Sequence, residues 1–233
     1  LDLFQKVGVI SCDFVDRFSR TVSGNPRPSH EIARIGTCES NSMIVATQPI
    51  QRPETARLLV VDHERKIHHV RRTSFVDYLE TGDLVIANDA ATLPASLQGV
   101  HVATGDSIEV RLAGRRSLRP EDMNYFTAVV FGAGDFHTRT EDRLPPPKLS
   151  AGDKIILGPL RATVAQLVGH PRLVFIGFEG TADHVWAGLA HHGKPIQYAH
   201  VAAPLALWDV WTRFAGPPVA FEPPSAGFAL DWH

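Results

Sequence analysis

The sequence predicts a β-rich body, a small antiparallel barrel or sandwich, inserted between two outer segments, the second of which returns to helix. Three observations carry this. A Gly-Asp pair precedes an apolar run at Gly82-Asp83, Gly105-Asp106 and Gly152-Asp153. Glycine at a positive-φ turn position, followed by an aspartate that bonds the local backbone, is a turn that launches a strand. Between Val100 and Gly180, short β-branched runs then follow one another with Gly, Pro and charged turns between them. After Gly180 the period changes: Asp183 can cap a helix holding Val185, Trp186 and Leu189, stopped by Gly193 with Pro195 just beyond.

Taken in order, residues 1–42 have no sustained period of 2 or 3.6 and contain both cysteines, Cys12 and Cys38. They read as a loosely structured extension, with a small helical appendage from Cys12 to Arg20 as the alternative and Met43 as a candidate true start. Neither a signal peptide nor a transit peptide fits. From Arg57 to Asp62 an apolar run ends in a turn residue, and Ile67 to Val70 can return beside it as a hairpin. Ser74 to Leu79 suits a short helix or turn closed by Gly82. Strand runs follow at Leu84–Ile86, His101–Leu112, Tyr125–Phe131, Lys154–Leu157, Ala162–Val168 and Leu173–Phe178. Pro145-Pro146-Pro147 cannot join a ladder and marks an extended crossing. The end at Asp231-Trp232-His233 reads as the cut end of a longer chain.

Composition excludes several classes. The 233 residues are 44% hydrophobic and 21% charged, ordinary for a globular chain and unlike a disordered one. Lys+Arg 23 against Asp+Glu 25 gives a formal charge of −2, which excludes a strongly basic nucleic-acid sleeve but leaves room for local patches. No stretch approaches the roughly 18 apolar residues of a membrane helix. Two cysteines cannot build a disulfide scaffold or a four-cysteine zinc site. Among 12 histidines, the pairs His68-His69 and His191-His192 invite a metal reading, but no H-E-x-x-H or Cys/His cluster accompanies them. The expectation is no metal. Hydrolase elbows, P-loops and dinucleotide fingerprints are absent too.

The residues that could carry chemistry are polar clusters at the ends of elements. Asn88-Asp89 follows a buried-strand pattern, where a scaffold can hold side chains facing a crevice; a turn satisfying its own backbone explains the same letters. Pro223-Pro224-Ser225-Ala226-Gly227 offers small residues and a glycine for close approach, or a plain loop. Two basic stretches, Arg52 to Arg72 and Arg111, Arg115, Arg116 and Arg119, could position phosphates of a folded RNA or form solvated faces.

In their order along the chain, these segments resemble the S-adenosylmethionine:tRNA ribosyltransferase-isomerase family of queuosine synthesis, from about Thr47 to the end. Gln48-Pro49 and Arg57-Leu58-Leu59-Val60-Val61-Asp62 resemble its P-x-x-x-R-x-x-x-R-L-L-V-x-D opening. Gly82 to Asp89 resembles G-D-L-L-V-x-N-D-T-R, and Lys148 to Asp153 resembles K-L-K-x-G-D. Gly193 to Tyr198 falls where the family has a Pro-containing segment ending in Tyr. Thr212 to Ala215 and Pro224-Ser225-Ala226-Gly227 resemble Q-T-V-Y-A and A-P-T-A-G-L-H-F.

The resemblance implies an α/β (α+β) domain interrupted by a small antiparallel β-barrel insert. It divides the chain into an extension at 1–42, a first part of the α/β domain at 43–98, the barrel at 99–180, and an incomplete return at 181–233. It implies S-adenosylmethionine as co-substrate, tRNA as partner, no membrane, a monomer and a cytoplasmic enzyme. The ribosyl part of S-adenosylmethionine is transferred to the aminomethyl group of a 7-deazaguanine base in tRNA and rearranged to epoxyqueuosine, releasing adenine and methionine. Arg57, Asn88, Asp89, Ser225 and Gly227 occupy matching motif positions and are the implied substrate-binding residues; the catalytic residues stay unassigned.

Departures cluster in the same motifs. Pro53 stands at the family's first Arg, Ala90-Ala91 replace Thr-Arg, and Ser96 replaces the Arg after Pro-Ala. Trp211 stands at a Gln, and Ala229 at a His that could act as acid or base. Two other readings therefore stand beside the enzyme: a non-catalytic RNA-binding relative, and a β-barrel interaction protein with no nucleic-acid role.

Overall fold

The computed structural model describes residues 57–119 and 122–230. The expectations for residues 1–42, Met43, the cysteines, Gln48-Pro49 and Pro53 lie outside the described residues.

A β-hairpin comes first. β1 (Arg57–Val61) pairs antiparallel with β2 (Ile67–Arg71), from Arg57 opposite Arg71 to Val61 opposite Ile67. Alternation buries Leu58 and Val60 on one face. The turn is organised by Asp62, whose carboxylate accepts from the backbone N–H of Glu64 and Lys66, both at 2.9 Å, and pairs with His68 at 2.8 Å. A 3-10 helix over Arg72–Tyr78 follows, where the sequence suggested a short helix or turn.

The centre is a closed antiparallel barrel of six strands: β4 (Ser96–His101), β5 (Ser107–Arg115), β6 (Tyr125–Phe131), β7 (Lys154–Leu157), β8 (Leu160–Leu167) and β9 (Leu173–Phe178). Around the barrel they run β4-β5-β6-β9-β8-β7, and β7 closes back on β4 through Val100–Ile156 and His101–Ile155. Closure removes the exposed edges an open sheet would present. Inward positions alternate along each strand, so Ile108, Val110, Leu112, Phe126, Ala128, Val130, Val174 and Ile176 form one core.

All three Gly-Asp glycines take positive φ: +103° at Gly82, +75° at Gly105 and +96° at Gly152. Gly105 launches β5 and Gly152 launches β7, as the sequence indicates. Gly82 does not launch a strand. Leu84, Val85 and Ile86 join no ladder among the described residues, and Leu84 and Ile86 are 82% and 83% exposed. The turn itself forms, with Asp83 accepting from the Glu80 N–H at 2.8 Å. Local chemistry made the turn, but a strand also needs a partner.

Outer elements clamp the barrel. β3 (Ala91–Thr92) pairs in parallel with β10 (Pro218–Ala220), linking segments more than a hundred residues apart. α1 (Ala182–His192) packs Val185 and Leu189 onto the barrel core. Its N-cap is Thr181, not the expected Asp183. Thr181 is extended and its hydroxyl accepts from the His184 N–H at 3.2 Å, the position that an N-cap side chain serves. Asp183 sits in the first turn instead, favourable to the helix dipole. Gly193 ends the helix as expected. A short α2 (Leu207–Val210) follows, and a 3-10 turn spans Ser225–Ala229. Among the described residues, no helix is long and apolar enough to cross a membrane.

Candidate functional site

Two of the five residues singled out from sequence, Asp89 and Gly227, meet one segment, Thr212–Gly216. Asn88 turns on itself: its side-chain oxygen accepts from the Ala90 N–H at 3.0 Å. That is the self-satisfied turn the letters also allowed. Asp89 does more, because its carbonyl accepts from the Gly216 N–H at 2.5 Å. Its carboxylate lies so close that a Cβ on Gly216 would stand 3.1 Å from Oδ2. Immediately beyond, the Ala91 N–H donates to Pro217 at 2.9 Å and the β3–β10 pair begins.

From the other side, the Ser225–Ala229 turn presses on the same segment. A Cβ on Gly227 would meet Thr212 Cγ2 at 2.8 Å and Phe214 Cζ at 3.0 Å, so only glycine permits this approach. Ser225 is exposed at the turn's start, its N–H bonded to the Pro223 carbonyl at 2.8 Å. On that segment the Thr212 hydroxyl is buried with no hydrogen-bond partner among the described residues, which carries a desolvation cost. Arg57 is exposed on β1, opposite Arg71, in a sheet of two strands, and no strand pairing brings it to that segment.

Trp211 explains one departure from the family motif. Its indole N–H donates to the Thr92 carbonyl at 2.9 Å, while the Thr92 hydroxyl donates to the Val210 carbonyl at 3.1 Å. The aromatic thus fastens β3 to the segment after α2. Ala91, at the motif's arginine position, is 2% exposed within β3.

Four residues past Thr92 the chain enters the barrel at Ser96, which forms an antiparallel bridge with Lys194. Here a cleft of about 370 Å³ opens between the barrel wall and the chain after α1. Glu109 and Ser96 line the wall side; His191, Lys194, Gln197 and Leu205 line the other. The far wall is held by Gln197, whose amide donates to the carbonyls of Val201 (2.6 Å) and Ala203 (2.7 Å) and accepts from the Leu205 N–H (2.9 Å). His192 donates to the Gln98 carbonyl at 2.7 Å and ties α1 to β4.

Beneath the cleft lies a buried ionic cluster. Glu109 accepts from the Ser96 hydroxyl at 2.8 Å, from Arg111 Nε at 2.6 Å, and from Arg143 Nη1. Arg143 also donates to the carbonyls of Gly132 and Gly134 at 3.3 and 2.9 Å. The guanidiniums of Arg111, Arg143 and Arg172 all lie over the Phe131 ring, at 4.9, 5.1 and 5.0 Å from its centroid. Burial pushes the Glu109 carboxyl up, but the Arg111 hydrogen bond and charge, with Arg143 and Ser96, outweigh it and hold the group below the ordinary glutamate value. Glu109 is therefore a carboxylate that fixes two arginines, not a free base. The Arg143 guanidinium is spent on Glu109 and the loop carbonyls behind the wall, while His191, His192 and Lys194 line the cleft itself.

The sequence marks Arg111 as part of a basic stretch but singles out neither Glu109 nor Arg143. A signal was present: in Ile108-Glu109-Val110-Arg111-Leu112 the strand period puts both charges on the face opposite the core. Neither His68-His69 nor His191-His192 gathers a metal set; among the described residues no three His, Cys, Asp or Glu side chains converge.

This geometry stands beside clear relatives. A family model described as "Queuosine biosynthesis protein" matches residues 39–233. A protein of Thermosynechococcus vestitus named S-adenosylmethionine:tRNA ribosyltransferase-isomerase is 30% identical over 186 residues, covering 78% of this chain and 47% of the relative. A protein of the same name from Acetivibrio thermocellus is 37% identical over 73 residues, 31% of this chain and 21% of the relative. The chain thus spans about half the length, or less, of these curated relatives. It belongs to the queuosine biosynthesis protein family.

Proposed function

We propose that this chain is the barrel-bearing part of a transferase-isomerase that moves the ribosyl moiety of S-adenosylmethionine onto a 7-aminomethyl-7-deazaguanine base in tRNA, giving epoxyqueuosine. The outer segments, 43–98 and 181–233, are read as parts of one α/β domain interrupted by the barrel, in a monomeric cytoplasmic enzyme whose co-substrate is S-adenosylmethionine and whose partner is tRNA. The observation that carries this reading is the seam itself. Asp89 and Gly227 meet the Thr212–Gly216 segment, which carries the buried Thr212 hydroxyl, and the chain between β3 and β4 leads from there to a cleft lined by His191, His192 and Lys194.

The reaction must remove a proton from carbon beside a sulfonium, hold adenine as it leaves, and place an amine against the sugar. Positioning supplies much of such a barrier. In this reading Asp89 and Ser225 hold polar groups of the co-substrate, and Gly227 gives it backbone-close access. Arg57 approaches a phosphate or carboxylate from the hairpin, and Lys194 at the cleft favours an anion. The test is direct: the full-length gene product, incubated with S-adenosylmethionine and precursor-bearing tRNA, releases adenine.

A second reading has its own support. Ala91, in the place of the motif arginine, is buried against β10, so this strand offers no guanidinium to a ligand. That favours a tRNA-binding relative without the chemistry. Salt-sensitive tRNA binding with no adenine release would establish it.

A further inference from the structure

The barrel carries a second concavity on the wall away from the cleft. A hollow of about 520 Å³ lies over β5, β6, β9 and β8, lined among others by Arg116, Tyr125, Thr127, Gln166 and Phe175. Two aromatic rings stand in it unburied: Tyr125 is 57% and Phe175 41% exposed. Both sit at outward positions of paired strands, Tyr125 opposite Gly177 and Thr127 opposite Phe175. Their neighbours Phe126, Val174 and Ile176 fill the core. Gly177 lets the tyrosine lie down: a Cβ there would stand 3.2 Å from Tyr125 Cε1. The ring rests on β9 and turns its other face to solvent.

Charge completes the surface. Arg115 is spent internally, donating to Met123 Sδ at 2.6 Å and the Leu118 carbonyl at 3.4 Å. The loop it braces is closed further by the Ser117–Asp122 hydrogen bond. That leaves Arg116 exposed at the hollow's rim, with Arg119 exposed three residues on. Thr127 and Gln166 flank Phe175 from β6 and β8, polar and uncharged, where an apolar protein partner would call for aliphatic side chains.

We infer that this outer barrel face is a stacking platform for single-stranded RNA, with bases on Tyr125 and Phe175 and a backbone phosphate at Arg116. Open aromatic faces beside a guanidinium are the sequence-tolerant way of holding unpaired nucleotides. The choice of RNA rests on the tRNA reading above; the location does not. The platform lies on the β6–β9–β8 wall and shares no lining residue with the cleft, and would grip substrate outside it.

The experiment uses the full-length gene product and a fluorescent, unstructured RNA of about 12 nucleotides, within the range of such sites. Anisotropy should show the Tyr125→Ala/Phe175→Ala double variant binding about tenfold or more weakly, as loss of base stacking requires. Tyr125→Phe, which keeps a ring, should stay within about twofold on the same stacking basis. Arg116→Ala should weaken binding and flatten its salt dependence by about one phosphate contact. Thermal melts confirm folding, and Arg116→Ala keeps the test decisive should the double variant melt early. Wild-type affinity in folded variants overturns the platform, as does absence of RNA binding. So does self-association that the double variant abolishes, which would assign the face to protein contact. Adenine release separates this from the transferase reading. Release with variant-insensitive RNA binding sinks the platform alone, and platform-dependent binding without release sinks only the chemistry.

Discussion

Arg143 donates to Glu109 across 34 residues of sequence, with both side chains buried, at 0% and 2% exposure. The pair pins the loop after β6 onto the outer face of β5, and that face becomes the cleft wall. Breaking a buried pair from one side strands the remaining charge. Glu109→Ala would leave Arg111 and Arg143 uncompensated and should cost about 3–5 kcal/mol. Glu109→Gln keeps an acceptor for Ser96 and should cost less. Urea unfolding of the three proteins measures the difference. Equal stability of wild type and Glu109→Ala would mean that the cluster is not closed in solution.

The same carboxylate sets a pH dependence. Its folded value lies below the ordinary 4.5, because Arg111 and then Arg143 and Ser96 outweigh the cost of burial. A depressed folded value means the unfolded chain binds the proton more readily, so stability rises with pH in this range. The contribution is full above the unfolded value and is lost as pH falls through the folded one. Asp62, lowered chiefly by its His68 hydrogen bond, and Asp135, lowered chiefly by the His137 backbone N–H, shift the same way. Both are solvent-screened and should contribute little. Melting temperature should therefore fall below about pH 4.5 in wild type. Glu109→Gln should flatten that decline, and an unchanged slope would place the acid sensitivity elsewhere.

How far the sequence could be read follows from the range of each interaction. Gly105 and Gly152 were legible because a positive-φ turn is local chemistry. Tyr125–Phe131 and Leu173–Phe178 were legible to the residue because β-branched and aromatic runs lay between turns. β4 was missed. Its Gly99 weakens a strand pattern, yet it exists because a Cβ would stand 2.1 Å from the Ile156 carbonyl where β4 meets β7. Leu84–Ile86 reads as a strand but joins no ladder among the described residues, since partnership is not written in the segment itself. At the site, the motif positions could be named, but the meeting of Asp89 and Gly227 on Thr212–Gly216 depends on β3 finding β10 across the whole barrel. The link from Glu109 to Arg143 was hidden for the same reason.

Ala91 tests whether the departure at the family's arginine is structural. It is 2% exposed, its N–H is engaged by Pro217, and its strand is two residues long. Ala91→Arg would overpack this contact, at about 1–3 kcal/mol, and bury a charge without a partner. We expect a lower melting temperature and no gain in adenine release. A variant as stable as wild type and faster would mean that the β3–β10 pair opens and that the arginine can act as in the motif.

Asp89 and Gly227 separate binding from packing at the same segment. The Asp89 side chain is exposed, so Asp89→Ala should change stability by no more than about 0.5 kcal/mol, as other surface changes do. If its carboxylate holds substrate, kcat/KM for adenine release should fall about 10- to 1,000-fold, equivalent to about 1.4–4 kcal/mol of transition-state binding. Gly227→Val acts differently. Its Cβ would collide with Thr212 Cγ2 at 2.8 Å and Phe214 Cζ at 3.0 Å, so the turn must lift off the segment. Both melting temperature and rate should drop together, by about 1–3 kcal/mol in stability. Melts and initial rates on the full-length gene product read the two signatures side by side. An Asp89→Ala protein with undiminished rate would remove Asp89 from the site, while a Gly227→Val protein of native stability would show that the close approach is not required.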